Sequence, residues 1–169
     1  MRVRDLTMLG MLMGCAASTR AADKLITPVD ERAIQAVLDE YVAAWNVHDI
    51  QRWSRIFTDD VDYVVITARH LKGRDETFAY HDDLHKGIFK SSELRARWKD
   101  LRLVSDRIAI GHVRFDARGD RGARGALGTA VLVKLRARWL IAAFQNTLLY
   151  GPPLPEQIPP ADVLPFERK

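Results

Sequence analysis

Apolar residues recur three and four positions apart in the first half of the chain, then alternate with polar ones from Glu93 onward. The first period belongs to helices and the second to half-buried strands. In "TPVDERAIQAVLDEYVAAWN" Thr27 can cap, Pro28 suits the first turn, and Asp30 and Glu31 complement the positive end of the helix dipole. Ile34, Val37, Leu38, Tyr41 and Trp45 then form one apolar face. "NVHD" (46–49) breaks this helix, leaving His48 exposed, and Asp49 caps a short second helix carrying Ile50, Trp53, Ile56 and Phe57 on one side. "TDDVDYVVIT" (58–67) turns into a β-branched strand, "LKGRDE" reads as a loop, and Arg74 or Asp75 opens a third helix.

The period-two half begins with "LRARW", slips phase near Asp100 as a bulge does, and resumes at Leu101 and Leu103. "RIAIGHVRF" (107–115), "GTAVLVKL" (128–135) and "WLIAAFQNTLLY" (139–150) complete four strands joined by short turns, with "RGDRGARG" (118–125) read as a solvated hairpin loop. Helices first and an antiparallel meander afterwards make an α+β domain over residues 27–150.

The flanks have a different composition. Residues 1–22 begin "MRVR" and continue through an apolar stretch, "LTMLGMLMGCAAS", to small residues. That pattern predicts an export leader, too short to span a bilayer as a mature helix. Two cleavage points compete. "LMGC" resembles a lipoprotein box that would leave Cys15 lipidated, although Met13 is unusual there; "TRAA" (19–22) is the other. Asp5 weakens the charged region, and a misassigned start with a frayed tail is the third reading. The expected location is the periplasm, free or as a membrane-anchored lipoprotein. Residues 151–169 hold six of the seven prolines, a density that excludes helix and central strand and predicts an extended tail.

Charge narrows the partners. The formal net charge is +4, and residues 1–22 contain three arginines against one aspartate, so the remainder carries only +2. No Lys/Arg stripe with interleaved aromatics follows, which argues against nucleic acid. The one cysteine lies in the leader, so the domain has neither a disulfide framework nor a thiol nucleophile. No G-x-S-x-G, G-x-G-x-x-G or phosphate loop is present, and no cofactor is assigned.

"HDDLH" (81–85) carries the candidate chemistry. With residues 77–89 on a wheel at about 100° per residue, His81, His85, Phe78, Leu84, Ile88 and Phe89 share one arc. Asp82, Asp83 and Tyr80 fall on the other side, so the aspartates form no relay with the histidines. Two inward histidines need polar partners, which a polar cavity or a satisfied core would supply. A zinc site would need a third ligand from Asp62, His112 or water, and the glutamate of H-E-x-x-H is replaced by Asp82; no metal is assigned. Tyr41 and Trp45 lie on the inward face of the first helix, where core packing also accounts for them. Asp62 and Tyr63 point to opposite sides of their strand, so one of them faces inside. His112 shares a strand face with Arg114, and Asn146 ends the last strand.

Together "AAWNVHDIQRWSRIFTDDVDYVVIT", "KGRDETFAYHDDLHKGIFKSS" and "VLVKLRARWLIAAFQNT" resemble the SnoaL-like, SgcJ/EcaC-type branch of the nuclear-transport-factor-2-like superfamily, from about Asp30 to Thr147. The ordered set of motifs is specific where each alone is weak. The resemblance implies a cone-shaped, barrel-like α+β fold, with three N-terminal helices packed on a strongly curved, mostly antiparallel sheet around a pocket, and it suggests homodimers. Relatives include isomerases, dehydratases, cyclases and non-catalytic binding proteins, and this branch often bears an oxidoreductase label through its gene neighbourhoods. "KLRAR" stands before Trp139 where relatives tend to have a D-G turn.

Two functions follow as expectations. One is a cofactor-independent acid/base enzyme acting on a small hydrophobic carbonyl compound. It would use His81 and His85 as base and acid, with Asp62 orienting a ring and Tyr41, Trp45, Tyr63, Phe78, His112 and Asn146 lining the ligand site. The other is an exported binding protein holding a small hydrophobic molecule in the same pocket. A structural dimer with a vestigial cavity is the third reading.

Overall fold

The computed structural model describes residues 26–120 and 122–149. The expected leader, with Cys15, and the proline-rich tail lie outside these residues.

Helix α1 (Pro28–Asn46) starts where the sequence signals it. Thr27 Oγ1 accepts the Asp30 backbone N–H at 3.1 Å, and Pro28 occupies the first turn. Its buried face carries Ile34, Val37, Leu38, Tyr41 and Trp45, each such side chain stabilising by roughly 1.5–3 kcal/mol. His48, in the left-handed region at φ 56°, ends the turn after α1. Asp49 then caps α2 (Ile50–Ser54) by accepting the Arg52 N–H at 2.8 Å. A bidentate Arg52–Glu40 pair, at 2.5 and 2.6 Å, ties the two helices together.

Strand β1 (Phe57–Val64) leads into a three-residue strand, β2 (His70–Lys72), and helix α3 (Gly73–Lys86). Three expectations change here. "LKGRDE" is not a loop, because Leu71 and Lys72 belong to β2, which pairs antiparallel with β1, and Gly73 already opens α3. Helix α3 stops at Lys86, so residues 87–89 leave the helical wheel and Ile88 is exposed. "RGDRGARG" is mostly strand: β4 (Ile108–Gly119) and β5 (Gly122–Leu135) stay paired as far as Gly119–Gly122. Glycine and arginine, poor strand formers on local propensity, are held there by the pairing.

With β3 (Glu93–Ser105) and β6 (Arg138–Leu148), the sheet runs β2-β1-β6-β5-β4-β3. All neighbours are antiparallel except β1 and β6. The expected bulge near Asp100 is present between Trp98 and Asp100, and further register shifts fall at Leu103/Ser105 in β3–β4, at Phe57/Asp62 in β1–β6 and at Val131/Leu132 in β5–β6. Glycines assist the bend. A Cβ on Gly128 would lie 2.5 Å from the Phe144 ring and 3.0 Å from both Phe115 and Val113, so only glycine lets those side chains fold over the strand. Bulges and such glycines curve a sheet, and the three helices cover its concave side.

The β5–β6 turn holds Arg136 at φ 47° and Ala137 at φ 66°. Positive φ at both central residues is the geometry of a type I′ hairpin, which favours Asn-Gly or Asp-Gly. Arg-Ala therefore makes the turn at a steric cost. Ala137→Gly is expected to raise stability by about 0.5–1 kcal/mol, read as a higher urea midpoint at unchanged slope.

Candidate functional site

Helix α3 buries Thr77, His81 and His85, spaced by one turn. His81 Nδ1 lies 2.8 Å from the Thr77 carbonyl oxygen. A carbonyl only accepts, so Nδ1 carries the proton and Nε2 of the neutral ring is the acceptor. The ring sits among Trp53, Tyr63 and Tyr80, with centroids 4.5, 5.0 and 5.3 Å away. Burial pushes its pKa down to about 4, outweighing the Thr77 hydrogen bond.

Beside His81 runs a short polar chain. Tyr41 and Tyr63 bring their hydroxyls to 3.1 Å, and Asn146 Nδ2 donates to the Tyr63 oxygen at 3.2 Å. When Tyr41 donates to Tyr63, the Tyr63 proton is left for a ligand oxygen. Burial pushes both phenols up, so both are neutral donors at physiological pH. Asn146 Oδ1 is buried without a partner.

These groups line a cavity of about 170 Å³ between α1, α3 and the concave face of the sheet. Tyr41, Trp45, Tyr63, His81 and Phe115 form its buried wall. Ile66 and Ile88, 40% and 41% exposed, mark its mouth together with Arg124. A dry cavity of about 150 Å³ can hold one benzene ring, so the volume suits a single ring or a short chain.

The structure divides the residues singled out from sequence. Tyr41, Trp45, Tyr63, His81 and Asn146 converge on the cavity. His85, Asp62, His112 and Phe78 do not line it. His85 Nδ1 instead meets His48 Nδ1 at 2.8 Å, and its ring packs edge-on against Trp45 at 4.3 Å. Burial first, and the neighbouring His48 second, push the His85 pKa down to about 4. The two histidines are thus not a base–acid pair in one pocket: His81 faces the cavity, while His85 faces the α1–α2 turn and draws His48 into contact. Asp62 cannot orient either ring. Strand alternation turns Tyr63 inward and Asp62 outward, where Asp62 meets His70 at 2.7 Å. The same alternation puts His112 on the outer face of β4, 2.6 Å from Asp100. Phe78 is half-buried against the core.

Sequence reasoning passed over Tyr80, Phe115 and Arg124, all of which line the cavity. The helical wheel puts Tyr80 on the polar side, but the cavity lies to one flank of the buried stripe and Tyr80 reaches it from there. Period-two spacing through Ala126 and Gly128 would have placed Arg124 inward had that stretch been read as strand. Among the described residues no three His, Cys, Asp or Glu side chains converge as a metal site.

Solved structures share this architecture. A protein of unknown function with a cystatin-like fold from Nostoc punctiforme PCC 73102 superposes with TM-score 0.69 at 26% identity, covering 75% of this chain and 81% of that one. A nuclear-transport-factor-2-like protein of unknown function from Shewanella oneidensis MR-1 gives TM-score 0.64 at 19% identity, over 70% and 98%. A ketosteroid isomerase-like protein from Erwinia carotovora atroseptica SCRI1043 gives 0.59 at 16%, over 71% and 96%. The last two are similar in fold alone. No curated protein matches the chain in sequence. The SnoaL-like domain model matches residues 38–138, at the level of the family rather than of its SgcJ/EcaC-type branch. That match spans more than half of the sequence, and the chain belongs to the SnoaL-like family.

Proposed function

We propose that the cavity takes a small apolar carbonyl compound and that His81 moves a proton at the carbon beside its carbonyl, as in a cofactor-independent isomerase or dehydratase. The observation that carries this reading is the fixed tautomer of His81. Thr77 holds the Nδ1 proton, leaving Nε2 as the acceptor on a ring that shares the cavity wall with the Tyr63 hydroxyl. An enolate forming there would meet the Tyr63–Tyr41 pair as hydrogen-bond donors already in place. A base with pKa near 4 is unprotonated at neutral pH and captures only a proton that those donors have made acidic; once charged, it returns the proton readily.

Deuterium uptake at the α-carbon of small cyclic ketones and enones in D₂O, followed by NMR, tests this. The wild-type protein is expected to accelerate uptake. His81→Gln should lower the rate by about 10²–10⁴-fold and Tyr63→Phe by about 10²–10³-fold, both with unchanged circular dichroism. Activity needs neutral His81, so the rate should be flat near pH 7 and fall as pH drops toward 4. Uptake that survives His81→Gln rules the assignment out.

A second reading, a binding protein that performs no reaction, is favoured by one observation: His81 is the one histidine lining the cavity, no carboxylate lines it, and neither His85 nor Asp62 joins it there. Ketones that raise the melting temperature without exchanging deuterium would establish it. An exported scavenger of small apolar compounds suits the expected leader.

A further inference from the structure

Every residue lining the cavity is uncharged at neutral pH except Arg124. Its position follows from strand geometry. Arg124 is opposite Ala117 on β4, and Ala126 and Gly128 follow at the two-residue spacing of one strand face. Ala117, Gly125 and Ala126 also line the cavity, so the wall beside Arg124 is made of small residues that leave its side chain reachable from within. Other arginines have acidic partners: Arg114 has Asp116, Arg52 has Glu40 and Arg74 has Asp59. Arg124 pairs with no acidic side chain among the described residues. Asp116 is already engaged by Arg114, alongside Gly125.

At the other end stand the Tyr63 hydroxyl and the unpartnered Asn146 Oδ1. Asn146 pairs with Gly128, four residues along β5 from Arg124, or about 13 Å between the two rows. The long arginine side chain shortens that span, and the apolar wall lies between.

We infer that the ligand is a small amphiphilic carboxylate, a keto acid with a single-ring or short-chain body. Its carboxylate meets Arg124 at the mouth and its carbonyl oxygen points to Tyr63. This rests on the reading of the cavity as a carbonyl site and adds the second polar end. A guanidinium binds a carboxylate through two parallel N–H···O bonds, and a neutral ligand of the same shape forgoes them.

Two matched probes separate the claims: 4-acetylbenzoate and 4-acetylbenzamide share a ring and a ketone and differ in the charged end. Binding to the full chain is measured by calorimetry at low and high salt. The benzoate is expected to bind about five- to tenfold tighter than the benzamide at low salt, less so at high salt. Arg124→Gln should erase the preference and Arg124→Lys should keep part of it. Arg102→Gln, an equal charge loss on the outer side of β3, should leave it intact. If both probes bind equally to the wild-type protein, the Arg124 assignment is overturned while the cavity reading stands. Failure of both to bind, with the protein folded, overturns the cavity reading and this inference together. A preference that survives Arg124→Gln also overturns it.

Discussion

Acidification from pH 6.5 to pH 4 is expected to cost this domain several kcal/mol of folding stability. His81 and His85 are 3% and 6% exposed, and burial pushes each pKa from 6.5 to about 4. In the unfolded chain both titrate near their ordinary value. Below pH 6.5 the unfolded state therefore binds protons that the folded state refuses, and stability falls until the folded-state pKa is reached. His81 alone contributes about 3 kcal/mol to that loss. His85 adds to it, because its Nδ1 contact with His48 needs one ring nitrogen without a proton. Asp82 favours the charged form of His85 but ranks below burial and His48. Urea midpoints at pH 7, 6, 5 and 4.5 check this. The expected curve is level above pH 6.5 and steep below it, and it flattens in part in His81→Gln. Equal midpoints at pH 7 and 4.5 would show that neither histidine is held neutral. Asp30 does not confuse the result. The hydrogen bond from Lys134 holds its carboxyl below the usual 3.8, so it titrates under this window.

Asp30→Ala is expected to destabilise the fold by about 3 kcal/mol, far more than a substitution near a helix start usually does. The Asp30 carboxylate accepts from Lys134 Nζ at 2.6 Å, Trp139 Nε1 at 3.0 Å and Thr27 Oγ1 at 3.0 Å. It thus joins the first turn of α1 to both strands of the β5–β6 hairpin. Trp139 is 3% exposed, so alanine strands a buried indole N–H and leaves Lys134 without its partner. Thr27→Ala loses the helix cap and one of the three hydrogen bonds to the Asp30 carboxylate, but leaves Lys134 and Trp139 partnered, and should cost about 1 kcal/mol. Thermal denaturation of the two variants side by side decides the point: equal losses would mean Asp30 acts as a first-turn helix residue and nothing more.

The same residue shows where reading a sequence stops. Asp30 was legible as a first-turn acid because that role depends on neighbours within one helical turn. Its ties to Lys134 and Trp139 span more than a hundred positions, and no local pattern encodes them. His81 and His85 illustrate the limit differently. Helical periodicity sent both inward, and both are buried. Periodicity reports which face of a helix is covered, not by what. One ring met the cavity and the other met His48.

Local sequence determined the elements that depend on near neighbours: the caps at Thr27 and Asp49, the apolar stripe of α1, the bulge at Asp100 and the order of helices before strands. It also determined that Tyr63 and Asp62 face opposite ways. Tertiary structure alone decided which of the two looks inward, that Asn146 reaches Tyr63, that His112 turns outward, and that a stretch rich in glycine and arginine continues a strand and brings Arg124 to the cavity mouth. Alternation and helical period fix directions relative to an element's own axis. Where those directions point is fixed by sheet pairing and curvature, which belong to the whole chain.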